Sequence, residues 1–220
     1  MTKKKIMWIS IAAIVCALFV GAGGILLFRY IQVNSNEQTG STSSVPPLSK
    51  EIITYHDEKI THKHVKKLDG NPNIDMIVLV NCIISEDVME EMNRMKPLEN
   101  LTVFCVDGGT IEGSPEFLNK QPKLSELHMY GCNITSEQLK GLKIPTLKRA
   151  MLDDNPDLDN VEFLRNCTEL KHVGINNTGI EDLSMLHTKM LESLDISNTR
   201  ISDISVLAHC TKMEYLIMKN

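Results

Sequence analysis

Residues 170–190, LKHVGINNTGIEDLSMLHTKM, and residues 191–216, LESLDISNTRISDISVLAHCTKMEYL, state one pattern twice. Apolar residues stand at relative positions 1, 4 and 6, a small polar residue at 9 and another apolar residue at 11: Leu170-Val173-Ile175-Thr178-Ile180, then Leu191-Leu194-Ile196-Thr199-Ile201. Working outward, Leu124-Leu127-Met129-Cys132-Ile134 and Ile74-Ile77-Leu79-Cys82-Ile84 match as well. Copies starting at Leu98 and Leu147 fit with local irregularity, Val106 being the exception at position 9, and Met213-Leu216-Met218 opens one more. A degenerate copy, Ile53-Tyr55-Glu58-Ile60, precedes them all. The starts at 74, 98, 124, 147, 170, 191 and 213 lie 24, 26, 23, 23, 21 and 22 residues apart. Repetition at such a period means a stack of like coils, each unable to bury its own apolar residues alone.

The period lies in the roughly 20–29 residue range of leucine-rich repeats. Positions 4 and 6 alternate as a short strand does and point inward; 5, 7 and 8 are left on the opposite side. Neighbouring strands should therefore pair in parallel at about 4.8 Å over one continuous core. Small residues at position 9 suit a chain turning inward, and Asn155, Thr178 and Thr199 can bond turn backbone there. In Ile60-Thr61, Ile84-Ser85 and Ile134-Thr135 a hydroxyl residue able to cap a helix precedes apolar pairs three apart: Val65 and Leu68, Met89 and Met92, Leu139 and Leu142. These returns read as short convex helices; those after Ile180 and Ile201 read as turns or single 3₁₀ coils. The expected fold is α/β, a leucine-rich-repeat solenoid of about seven or eight coils with a parallel concave sheet and short convex helices or turns, preceded by one N-terminal transmembrane helix. Over residues 170–218 the repeats resemble those of bacterial internalins and related surface proteins. That resemblance implies a bacterial exported binding protein with recognition on the concave sheet.

Ahead of the repeats, Lys3-Lys4-Lys5 is followed by Ile6–Phe28, 23 residues without a charge. About 20 apolar residues at ~1.5 Å each cross the hydrocarbon layer, and flanking lysines stay in the cytoplasm. Residues 1–5 are then a cytoplasmic stub, 6–29 a transmembrane signal anchor, 30–49 a polar Ser/Thr-rich stalk and 50–220 the repeat domain, outside the cytoplasm. The competing reading is a cleavable signal peptide with Val20 and Ala22 at the small-residue positions, although Ile25-Leu26-Leu27-Phe28 prolongs the apolar run past that site. Beyond Arg29 the charge is 19 − 28 = −9, which argues against a nucleic-acid partner.

The chemistry-bearing residues do not assemble into a catalytic motif. The sequence has no nucleophile elbow, glycine-rich phosphate loop or paired metal motif, so no enzyme, cofactor or metal is expected. His62 and His64 lie two apart on a helix, which splays them; Asp153–Asp159 imitates a calcium loop but lacks its Gly and Glu. Cys82 and Cys132 share a repeat position two coils apart, as do Cys167 and Cys210, so each pair is about 10 Å apart, beyond disulfide reach.

The concave columns are more informative. Position 7 reads Val80, Phe104, Tyr130, Asp153, Asn176, Ser197 and Lys219; position 5 adds Val78, Thr102, His128 and Met151; position 3 adds Glu126 and Arg149 as a charged rim. An apolar and aromatic cluster with a polar edge is how interface cores look, so Val78, Val80, Phe104, His128, Tyr130, Arg149 and Met151 are the expected contacts of a protein partner. The alternative is that strands simply favour β-formers, and singly exposed apolar residues need no partner. A second alternative is a structural role in the cell envelope, suggested by the strand begun at Met213-Leu216-Met218.

Overall fold

The computed structural model describes residues 50–219. The stub, the expected membrane anchor and the stalk, residues 1–49, lie outside the described residues; among those described, no helix is long and apolar enough to cross a membrane. Eight described strands form one parallel sheet in the order β1 (Glu51–His56), β2 (Ile74–Val80), β4 (Val103–Asp107), β6 (Glu126–Tyr130), β7 (Arg149–Met151), β8 (His172–Gly174), β9 (Ser193–Asp195) and β10 (Tyr215–Ile217). A second, two-stranded parallel sheet pairs β3 (Ile83–Ile84) with β5 (Thr110–Ile111) just past the first. Strand order equals chain order, as parallel strands joined by returns of similar length require.

Inward positions 4 and 6 stack in register: Ile77 and Leu79, Phe104 and Val106, Leu127 and Met129, Ala150 and Leu152, Val173 and Ile175, Leu194 and Ile196, all of them buried. The degenerate first copy joins the stack, with Ile53 beside Ile77 and Tyr55 beside Leu79. Opposite the sheet, α1 (His62–Leu68), α2 (Glu86–Arg94) and α3 (Ser136–Leu139) begin after Thr61, Ser85 and Thr135, where cap residues were expected. At Thr135 the cap is reciprocal: Gln138 N donates to Thr135 Oγ1 at 3.4 Å and Thr135 N to Gln138 Oε1 at 2.9 Å. Val65, Leu68, Met89, Met92, Leu139 and Leu142 turn into the same core. Later returns shorten to 3₁₀ turns such as Glu162–Asn166 and Ser205–His209. Cys167 is fully buried, its Sγ donating to Ile144 O at 3.3 Å, in keeping with a small apolar core residue.

One coil differs from its sequence reading. Phe104 pairs with Ile77 and Val106 with Leu79, so the third coil starts at Leu101 rather than Leu98. The copy becomes regular: Leu101, Phe104, Val106, Gly109, Ile111. The irregularity vanishes, and the extra length belongs to the preceding return, which carries α2. Two backbone demands set this register. Position 8 is left-handed wherever it is described, at Asp57, Asn81, Gly108, Gly131, Asp154, Asn177 and Asn198, and there only Asp, Asn and Gly occupy it. At position 9, Gly109 has φ +81°, and a Cβ there would stand 2.0 Å from Cys82 O. Val106 therefore sits at position 6, so the position-9 rule is intact.

Candidate functional site

The face of the sheet away from the helices carries positions 3, 5 and 7. Register places six of the seven expected residues on it: Arg149 at position 3, Val78, His128 and Met151 at 5, Val80 and Tyr130 at 7. Phe104 is not among them. It points inward, is 0% exposed and meets Phe117 edge-on with ring centroids 5.4 Å apart, so it belongs to the core. Cys105, not Thr102, holds position 5 of that coil, and Asp107 holds position 7. The cause is the three-residue change of register, which turns a single inward aromatic into an apparent outward one.

The face has two unlike halves. On β2 and β4, Met76, Val78, Val80, Val103 and Cys105 are at most 5% exposed, yet none joins the contiguous core behind the sheet. The thiol of Cys105 is pushed up by burial, with Asp107 adding to it, and is chemically quiet. From β6 onward the face is polar and partly open.

There a chain of hydrogen bonds runs along one strand and crosses to the next. Tyr130 Oη lies 3.2 Å from His128 Nδ1, and His128 Nε2 lies 3.1 Å from Glu126 Oε2. The same carboxylate oxygen meets Arg149 Nε at 3.4 Å, the charged rim read from positions 3. Alternation at i, i+2 and i+4 of a strand places all three β6 side chains on one face. Burial acts to raise the Glu126 carboxyl, but the His128 hydrogen bond and the charges of His128, Arg149 and His172 outweigh it and hold it low. Burial pushes Tyr130 up, so its hydroxyl stays protonated. His128 thus bridges Glu126 at Nε2 and Tyr130 at Nδ1 and fixes the tyrosine ring; the rings lie 5.8 Å apart, edge to face.

Sequence reasoning passed over the next three coils. Gly174 leaves position 5 of β8 bare, and a Cβ on it would stand 2.7 Å from both Asp153 Oδ2 and Met151 Cε. Asp153 and Met151 therefore rest on that glycine. Asp153 Oδ1 accepts from Asn176 N at 2.9 Å. Burial raises its carboxyl to about 6, and repulsion from Asp195 and Asp154 adds to the rise. Asp195, at position 5 of β9, accepts from Ser197 N at 2.9 Å. The signal was available as the only glycine in the position-5 column, flanked by Met151 and Asp195.

Beneath the face, Asn155 at position 9 is fully buried and saturated. Its Oδ1 accepts from Cys132 N and Ile134 N, both at 3.2 Å, and its Nδ2 faces the carbonyls of Met129, Leu152 and Asp153 at 2.8–3.0 Å. Thr178 and Thr199 repeat the device, each Oγ1 donating to the carbonyl three residues back at 2.7 Å. Of the loop resembling a calcium site, Asp153 and Asn155 are thus bonded to backbone. His62 bridges to Asp87 and Glu91 of α2, and among the described residues no group of three His, Cys, Asp or Glu side chains could hold a metal.

Among solved structures, the chain is similar to an internalin (inlF) from Listeria monocytogenes, 19% identical, with a TM-score of 0.51 over 67% of this chain and 48% of that one. It is similar also to internalin C2 of the same organism, 16% identical, with a TM-score of 0.52 over 77% of each chain. The fold is internalin-like. The chain spans about half the length of inlF, and at these identities the likeness concerns the internalin-like repeat architecture alone. No family model matches the sequence, and no curated protein matches it.

Proposed function

We propose that this protein is a membrane-anchored, extracytoplasmic, non-catalytic module that binds a protein partner on the concave face of its repeat sheet. The observation that carries the reading is the open-face array of Tyr130, Arg149 and Met151, held side by side by the β6–β7 register and braced by His128 and Glu126. A fixed tyrosine and a half-buried arginine are the residue types that dominate interface energies, because they bring large contact area at little cost in side-chain entropy. Val78 and Val80 continue the face on β2, although at 5% exposure they are its packed floor. The internalin-like fold supports the assignment, since parallel solenoid sheets offer long binding strips. The uncharged run Ile6–Phe28 behind Lys3–Lys5 supports the anchor.

A photo-crosslinking residue at position 151, compared with one on the outer face of α2, tests the assignment in intact cells. Adducts from 151 that disappear in a folded Tyr130→Ala, Arg149→Ala double variant are expected; equal adducts from both sites would refute it.

A scaffolding role in the envelope is the second reading, and one observation favours it. Along β10 and just past it, Tyr215, Leu216, Ile217 and Met218 are 37–63% exposed beside a cavity of about 360 Å3 lined by Ile196, Thr199, Ile201, Ser202, Ile204 and Met218.

A further inference from the structure

We infer that the partner, on the reading just given, is a protein that lays a lysine- or arginine-bearing extended segment along the open face from Tyr130 across Gly174 to Asp195. Three observations converge on a cation. The first is charge: Arg149, the basic side chain central to this part of the face, is already paired with Glu126, and Lys171 at its edge with Glu192 at 2.7 Å. Asp107, Asp153 and Asp195 have no ion pair with any described residue, although they share the same strip of sheet. The described residues and Asn220 together carry 19 basic and 27 acidic side chains, 19 − 27 = −8, so the local imbalance agrees with the long-range field that would steer a basic segment inward.

The second is shape. Because Gly174 has no side chain, the Asp153 carboxylate, just past β7, lies over β8 on the side of Asp195 on β9, whose charge adds to the rise of the Asp153 carboxyl. Two anions from coils two apart therefore face one space whose floor is backbone. A cation placed between them relieves the repulsion, which is the condition for a charge pair to add affinity rather than only orientation.

The third is the tyrosine. Bonded once to His128, the Tyr130 oxygen keeps a lone pair for a donor, and its immobilised ring offers a cation a face. Met151 lies between, an apolar bed for the stem of a long basic side chain. The alternation of a strand added along the face would bring every second residue onto these groups.

The test uses the 220-residue chain in a nonionic detergent and a fluorescent peptide alternating lysine with threonine, with its glutamate counterpart as control. Anisotropy should report binding of the lysine peptide only, weakening as salt rises. Asp153→Asn and Asp195→Asn should each lower the affinity about tenfold, equivalent to about 1.4 kcal/mol. Glu90→Gln, the same charge change on exposed α2, should alter it less than about twofold. Equal losses from Glu90→Gln, or binding indifferent to Asp153→Asn and Asp195→Asn, would overturn the inference. The docking reading has a separate readout: adducts from position 151 that persist while the lysine peptide ignores both aspartates leave the concave surface standing and remove only its basic occupant.

Discussion

Replacing Asn155 by alanine is the sharpest test of how the coils hold together. The side chain is 0% exposed and serves backbone of two successive coils: amides of Cys132 and Ile134 in one, carbonyls of Leu152 and Asp153 in the other, with Met129 O shared across. Alanine leaves two buried N–H groups without that acceptor, each costing about 1–3 kcal/mol, and opens a small cavity besides. The sum is about 3–5 kcal/mol, a large part of the 5–15 kcal/mol that typically separates folded from unfolded domains. Asn155→Thr should cost roughly half as much, because Thr178 and Thr199 show that a hydroxyl at this position still reaches a carbonyl. Urea unfolding followed by far-UV circular dichroism gives the energies, and hydrogen exchange at the Cys132 and Ile134 amides gives the location. Since a solenoid is stable through neighbour contacts, the alanine variant should also unfold less cooperatively, with a lower urea dependence. A loss below about 1 kcal/mol with unchanged exchange would refute the idea that position 9 ties the stack.

Three further outcomes follow from the same geometry. Phe104→Ala should cost about 3–5 kcal/mol by thermal denaturation while Tyr130→Ala costs about 1, because the first empties a fully buried site and the second a half-open one; the reverse order would contradict the register starting at Leu101. Gly109→Ala should cost about 3 kcal/mol or more, since the left-handed backbone and the Cys82 carbonyl at 2.0 Å leave no place for a methyl group, and a near-wild-type melting temperature would refute that packing. Asp153→Asn should raise stability at pH 7.5 by at most about 3 kcal/mol. The sign follows from a folded pKa of about 6 against 3.8 unfolded: between those values the folded state holds more protons, so stability from this group falls as pH rises. The gain from asparagine should therefore shrink as pH drops below about 6, and a gain independent of pH between 4 and 8 would contradict the burial of this carboxyl.

Much of the fold was legible because each coil repeats the same solution to the same problem. Leu191-Leu194-Ile196-Thr199-Ile201 and its relatives announce inward and outward positions without reference to any contact, and the hydroxyl residues Thr61, Ser85 and Thr135 announce where helices start. The error in the third coil came from relying on apolar spacing alone. Leu98, Leu101 and Val103 fill positions 1, 4 and 6 of one register as Leu101, Phe104 and Val106 fill those of the other, so these three positions do not choose between them. The left-handed turn does choose, through Gly108 and Gly109. The half of the site made by Tyr130, Arg149 and Met151 was readable as columns of one face. The half made by Asp153, Gly174 and Asp195 was not, because its meaning depends on a side chain leaning across a neighbouring strand.

By itself, then, the sequence determined the stack of coils, the inward columns, the helical returns and the acidic balance, all of which follow from periodicity and the need to hide apolar surface. Tertiary structure alone decided that Phe104 packs on Phe117, that Asn155 is consumed by backbone, and that Asp153 rests over the bare glycine of the next coil. Those are distances between coils, and a repeat pattern specifies which residues share a column long before it specifies how far each side chain reaches along it.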